Sequence, residues 1–183
     1  MSTSQWHKFY TATVAAPPER LFELLSDMPR YNRWLPTSEQ FADTTAVEPY
    51  PVALGSKYHD GKPAAPGKDW WGSVIGFQPP GSIDFNHTIK ITQLRTTVDV
   101  HIHYSFEQEG DGTRVNRWLL LDVTMPLIAR PLRPVIISKF DKENVRTMAA
   151  VKRYAEARPA ATNADQISAG EDAATDTAER AQP

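Results

Sequence analysis

Residues 14–36 read VAAPPERLFELLSDMPRYNRWLP. A strand-like run stops at Pro17–Pro18, and an apolar helical pattern begins at once. Leu21, Phe22, Leu24, Leu25, Met28, Tyr31 and Trp34 crowd into two short consecutive helices, the second ending at Trp34. So many large apolar side chains need a surface to cover. The rest of the chain supplies one, and this segment is expected to plug one end of a curved, hollow sheet.

Downstream the hydrophobic period changes to two. In 97–108, TVDVHIHYSFEQ, the residues Val98, Val100, Ile102, Tyr104 and Phe106 alternate with Asp99, His101, His103 and Ser105. EGDGTR is a turn, and RVNRWLLLDVTM returns as the next strand of a hairpin. SIDFNHTIKIT (82–92) alternates too, with Ile83, Phe85, Ile89 and Ile91 on one face. QPPG (78–81) is a turn and WWGSVIGF (70–77) a strand. SEQFADTTAVE and GSKYHD are weaker strands, and QWHKFYTATV is the first. About seven strands result, mostly joined by short connections and therefore antiparallel.

The last element is helical, over 135–157. Ile137, Phe140, Met148, Val151 and Ala155 share one face at about 100° per residue, and Pro134 suits its first turn. This helix is the one element large enough to cover the buried face of the sheet. The predicted fold class is therefore α+β: a helix-grip arrangement, with a curved seven-stranded antiparallel sheet around a long C-terminal helix and two short helices after strand 1.

Composition bounds the function. Of 183 residues, 40% are hydrophobic and none is cysteine, which excludes disulfides, thiolate metal sites and a cysteine nucleophile. MSTSQWHKFY has no apolar h-region, so no signal peptide is expected. No apolar run approaches the ~20 residues of a membrane span, and a cytoplasmic location is the expectation. The net charge is −2. From Pro159 onward five acids stand against one base, a net −4 that leaves +2 for the rest. No concentrated basic face for nucleic acid is evident. The division expected is a ligand-binding domain over 1–158 and a disordered acidic tail over 159–183, whose only large aliphatic residue is Ile167.

The order of elements and the opening stretch resemble the START-like, or SRPBCC, superfamily related to Bet v 1. The residues that carry the resemblance are Val14, Ala16, Pro17, Phe22, Leu25, Asp27 and Trp34, with Leu35 set between Trp34 and Pro36. Gly55 resembles the glycine opening the third strand, and GDGTRV the last hairpin turn. The similarity spans about residues 5–157 and is closest to the polyketide cyclase/dehydrase and lipid-transport branch. It is a fold signature and carries no catalytic residue. It implies a START-like domain that binds a hydrophobic ligand between helix and sheet, some members being aromatases or cyclases and others carriers.

Within such a cavity the polar residues are informative. His87 sits between Phe85 and Ile89 on the apolar face, where an imidazole could bond a ligand carbonyl or move a proton; a core histidine satisfied by the protein is the alternative. Asn144 lies on the helix stripe between Phe140 and Met148 and needs a partner, whether ligand, water or strand carbonyl. Tyr104 and Ile102 are cavity-side residues of their strand. Arg117 shares parity with Val115, Leu119, Leu121 and Val123, and facing inward it could bind a carboxylate or stabilise an enolate. The opposite parity buries Trp118 and Leu120, and solvent is the favoured side for Arg117. Trp70 and Trp71 point to opposite sides of one strand, one as wall and one as rim. Asp99, His101 and His103 share the convex face, where solvation is preferred to metal binding. No metal or cofactor is called for. G-x-S-x-G, P-loop, G-x-G-x-x-G and H-E-x-x-H signatures are absent.

Binding, or transport, of an apolar small molecule or lipid is the favoured function. An aromatase/cyclase or dehydrase using His87 with Asn144 or Arg117 is the alternative, and a partner-binding role for the aromatic loop is third.

Overall fold

In the computed structural model the described residues are 1–38, 44–60 and 71–157. The elements run β1 (Ser2–Val14), α1 (Pro18–Ser26), a 3₁₀ stretch (Met28–Arg33), β2 (Thr44–Glu48), β3 (Lys57–Asp60), β4 (Gly72–Gln78), β5 (Ser82–Ile91), β6 (Thr96–Glu109), β7 (Gly112–Met125), a second 3₁₀ stretch (Leu127–Leu132) and α2 (Arg133–Ala157). The strands form one curved antiparallel sheet in the order β1-β7-β6-β5-β4-β3-β2. The chain reverses its order because β1 pairs with the last strand, which seats the N-terminus beside β7.

The prolines at 17 and 18 act as expected. Pro17 is extended at the N-cap and Pro18 opens α1, where a missing N–H costs nothing. Leu21, Phe22 and Leu25 are buried beneath the helix. Phe22 packs edge-on to Phe77 at 5.1 Å and to Phe106 at 6.2 Å. The second of the two short helices is a 3₁₀ stretch, broken at Arg30 (φ −114°, ψ 18°). It delivers Met28, Trp34 and Leu35 into the core.

Two of the cross-sheet rows frame the site. One runs Tyr10, Arg117, Tyr104, Ile83, and the other Trp6, Leu121, Val100, His87, Gly72, Tyr58. Gly55, at φ +85°, turns the chain into β3, and its N–H bonds Val74 O at 2.8 Å.

Helix α2 lies across the concave face. Its buried line runs Ile136, Asn144, Thr147, Met148, Val151 and Ala155. The expected Ile137 is half-buried instead, because the line through Phe140 and Asn144 extends back four residues to Ile136 and leaves Ile137 about 100° aside. Hydrogen bonds fasten α2 to the β1 side. Lys8 Nζ and Tyr10 Oη both donate to Asp141 at 2.7 Å. Lys152 Nζ donates to Thr13 O at 2.6 Å, and Ala15 N–H to Glu156 at 3.1 Å.

Arg117 corrects the sequence expectation. It is 6% exposed and faces inward with Val115, Leu119, Leu121 and Val123. The β6–β7 ladder is unbroken from Thr97 to Glu109, so no bulge shifts its parity. Trp118 tolerates the convex side because Phe9 stacks on it at 6.2 Å and His101 tilts against it at 5.8 Å. Residues 39–43 of the strand expected from residue 38, Trp70 and the tail 159–183 lie outside the described residues.

Candidate functional site

Between the sheet, α2 and the plug lies a partly open cavity of about 120 Å³, well above the roughly 10–15 Å³ that one water needs. Most of its wall is apolar. Phe85, Ile89, Val100, Ile102 and Leu119 form the floor, Met28 and Leu35 of the plug close one side, and Phe140 forms part of the roof.

Polar groups converge on this apolar space. The strand row through Gly72 brings Tyr58 beside His87, with Tyr58 Oη 3.1 Å from His87 Nδ1. The Trp71 indole stacks on the imidazole at 6.2 Å and 11°. Backbone bonds fix the main chain that carries it: Trp71 N–H donates to Tyr58 O and Trp71 O accepts from Thr88 N–H. Gly72 permits the arrangement, since a Cβ there would lie 2.5 Å from the Tyr58 ring and from Asn86 O. Burial, and secondly the positive charge of Arg117, pushes the His87 pKa down to about 4. The ring is therefore uncharged at neutral pH. The residue is half-buried as a whole and lines the cavity.

Arg117 is a cation on the cavity wall. Its Nη1 donates to the Tyr104 hydroxyl, and its guanidinium carbon lies 4.8 Å from the Tyr104 ring centroid. Its Nε has no hydrogen-bond partner, and among the described residues it makes no ion pair. Burial lowers its pKa to about 10, which keeps it charged at neutral pH. Glu143 also lines the cavity; its carboxylate accepts from Arg146 and from Ser38 Oγ at 3.0 Å, and it acts on Arg117 through space, opposing the effect of burial. Asn144 Nδ2 donates to Phe140 O at 2.7 Å, leaving Oδ1 buried without a partner. Trp34 Nε1 on the plug is likewise buried and unpaired. The site thus pairs apolar walls with a fixed cation, a neutral imidazole, an idle acceptor and an idle donor.

Of the sequence candidates, His87, Asn144, Tyr104, Phe85, Ile102, Phe140 and Trp71 line the cavity. Met148 is buried one turn beyond Asn144 but off the wall. Tyr58, Trp34, Glu143 and Thr147 were not foreseen. The plug's aromatic run was the available signal for Trp34; nothing local marked Tyr58, because β3 is short and its facing depends on pairing with β4. The convex set stays apart: His103 Nδ1 lies 2.7 Å from Asp84, and Thr88 Oγ1 donates to Asp99 at 2.6 Å. Among the described residues no group of three or more His, Asp or Glu is arranged to hold a metal.

A family model described as polyketide cyclase/dehydrase and lipid transport matches residues 7–156. The chain belongs to this family. No curated protein sequence matches it. Solved structures share the fold. An uncharacterised protein from Rhizobium leguminosarum aligns at TM-score 0.62 and 13% identity, over 86% of this chain and 98% of its own. The di-domain ARO/CYC BexL of the BE-7585A biosynthetic pathway aligns at TM-score 0.61 and 18% identity, over 85% of this chain and 51% of that one. Ara h 8.0201 aligns at TM-score 0.54 and 14% identity, over 85% and 100%. The family accounts for a helix-grip fold with a hydrophobic cavity. No helix among the described residues is long and apolar enough to cross a membrane.

Proposed function

We infer that this family member binds a hydrophobic small molecule in the cavity, the apolar body against Phe85, Ile102, Leu119 and Phe140, and an acidic or carbonyl-bearing end toward Arg117. The observation that carries this reading is Arg117 itself: a buried guanidinium on an apolar wall with a tyrosine hydroxyl as its hydrogen-bond partner. Buried charges are ordinarily paired, and a ligand oxygen supplies the missing partner by charge-assisted hydrogen bonding. Asn144 Oδ1 is a candidate acceptor for a hydroxyl on the same ligand.

The test incubates the purified protein with a lipid extract and identifies what co-purifies by mass spectrometry. An apolar compound bearing a carboxylate or ketone, lost in Arg117→Met, supports the reading. Recovery of purely hydrocarbon-like lipids, equally in both proteins, overturns the role of Arg117.

Catalysis of the aromatase/cyclase or dehydrase kind is the second reading. What favours it is the uncharged His87 beside Tyr58, within the same cavity as a cation able to stabilise an enolate. Loss of turnover of a polyketide-like chain in His87→Ala, with binding retained, would support it.

A further inference from the structure

At the junction of β7 and α2 the chain exposes an unusual run of aliphatic side chains. Leu127, Ile128, Leu132 and Val135 are 64, 91, 42 and 54% exposed. Scattered exposed aliphatics need no explanation, but four within nine residues form a patch. They sit on the 3₁₀ stretch and the first turn of α2, at the corner where the chain passes from β7 into the helix.

The charge around the corner has one sign. From Pro126 to Phe140 there is no acidic residue. Arg130 Nε donates to Ser2 Oγ and Arg133 Nη2 to Gln5 O, each at 3.0 Å, so neutral acceptors hold both cations and leave their charge uncompensated. The β5–β6 connection emerges at the same end, since Ile91 pairs with Thr96 and Thr97 with Thr124. It adds Lys90 and Arg95, again with no acid between them. Among the described residues none of these four makes an ion pair.

The corner is also at the cavity's end of the sheet. The cavity residue Ile89 lies on the row that crosses β7 at Val123, two residues and about 7 Å before Met125, from which the chain enters the patch. On α2, Val135 precedes the cavity residue Phe140 by five residues, about 7.5 Å.

We propose that this corner docks on an anionic lipid bilayer, with Leu127, Ile128, Leu132 and Val135 entering the interfacial region and Lys90, Arg95, Arg130 and Arg133 meeting lipid phosphates. Exposed aliphatics ringed by uncompensated cations are the chemistry an anionic membrane surface recognises. A second copy is a poorer occupant. A two-fold contact would set the same four cations against their equivalents. Docked this way, the protein turns its cavity end toward the source of apolar molecules.

The test is cosedimentation of the full chain with phosphatidylcholine vesicles and with vesicles containing about a third phosphatidylglycerol. The expected result is at least tenfold more protein on the anionic vesicles, abolished by high salt. Ile128→Asp should cut that binding at least fivefold with no change in Tm, since the side chain is almost fully exposed. Lys90→Glu with Arg95→Glu should cut it similarly. Equal binding to neutral vesicles, no binding to either, or full binding by Ile128→Asp would overturn the proposal. So would dimerisation on sedimentation that Ile128→Asp abolishes while vesicle binding is absent.

Discussion

Tyr104 engages Arg117 twice: its hydroxyl accepts a hydrogen bond from Nη1, and its ring lies under the guanidinium, 4.8 Å from centroid to carbon. The two residues face each other across the β6–β7 ladder. The cation is thus held on the cavity wall by a neutral hydrogen-bond partner, with Glu143 acting on it only through space, and no ion pair among the described residues blocks it from a guest.

Arg117→Met should therefore separate folding from binding. Replacing a buried, unpaired charge with a flexible apolar side chain is expected to leave stability unchanged or raised. Affinity for an apolar carboxylate such as decanoate should fall about 10–100-fold, matching the ~1.5–3 kcal/mol of a charge-assisted hydrogen bond. Titration calorimetry with decanoate and with decanol checks this. An equal loss for the two would show that the arginine does not read the acid.

His87 makes stability depend on pH in a defined window. Its folded pKa, near 4, lies below the ~6.5 of an unfolded histidine. Protons therefore bind the unfolded chain first. The contribution is complete above about pH 6.5 and is lost as pH falls toward 4. Urea unfolding at pH 7 and pH 4.5 should differ by about 1–2 kcal/mol, discounted because the ring is half-buried. His87→Gln should flatten this step. Asp141, Glu109 and Glu156 have lowered carboxylate pKa values, so their protonation weakens the fold chiefly at lower pH.

Gly72→Ala should damage the site more than the fold. The new methyl would meet the Tyr58 ring and Asn86 O at 2.5 Å, displacing the tyrosine from His87 or parting β3 from β4. The expected outcome is a rise in the His87 pKa, read by NMR titration, if the displaced ring lets water in. An unchanged titration would mean that Tyr58 shifts without opening the pocket.

Leu121→Ala tests the sheet core away from the wall. Leu121 is fully buried, and truncation should cost about 2–5 kcal/mol, measured by chemical denaturation. A cost below 1 kcal/mol would indicate that neighbours collapse into the space.

The fold was legible because its signals are long and redundant. The fourteen-residue strand β6 with its strict alternation, the equally long β7 returning from it across a turn, the Pro17–Pro18 stop and a final amphipathic helix all agree. His87 and Asn144 were legible for the same reason: each breaks an apolar stripe. Arg117 was not, because β7 is apolar on both sides through Trp118–Leu121, and parity alone could not rank the faces. The cover that Phe9 and His101 give Trp118 decides it, the first a contact across 109 residues of chain. Tyr58 reaches the cavity through a strand pairing that carries no local pattern, and the Trp34 indole through a 3₁₀ bend at the end of the plug's aromatic run.

The fastening of α2 has a kinetic consequence. Asp141, Lys152 and Glu156 bolt the helix to β1 at both ends of its inner half. Arg146 Nη1 adds a tie to Pro36 O at 2.6 Å. These ties make α2 the stationary wall of the cavity, so breathing of the pocket is expected on the facing side, where tryptophan fluorescence can time the contact of the Trp71 indole with the imidazole.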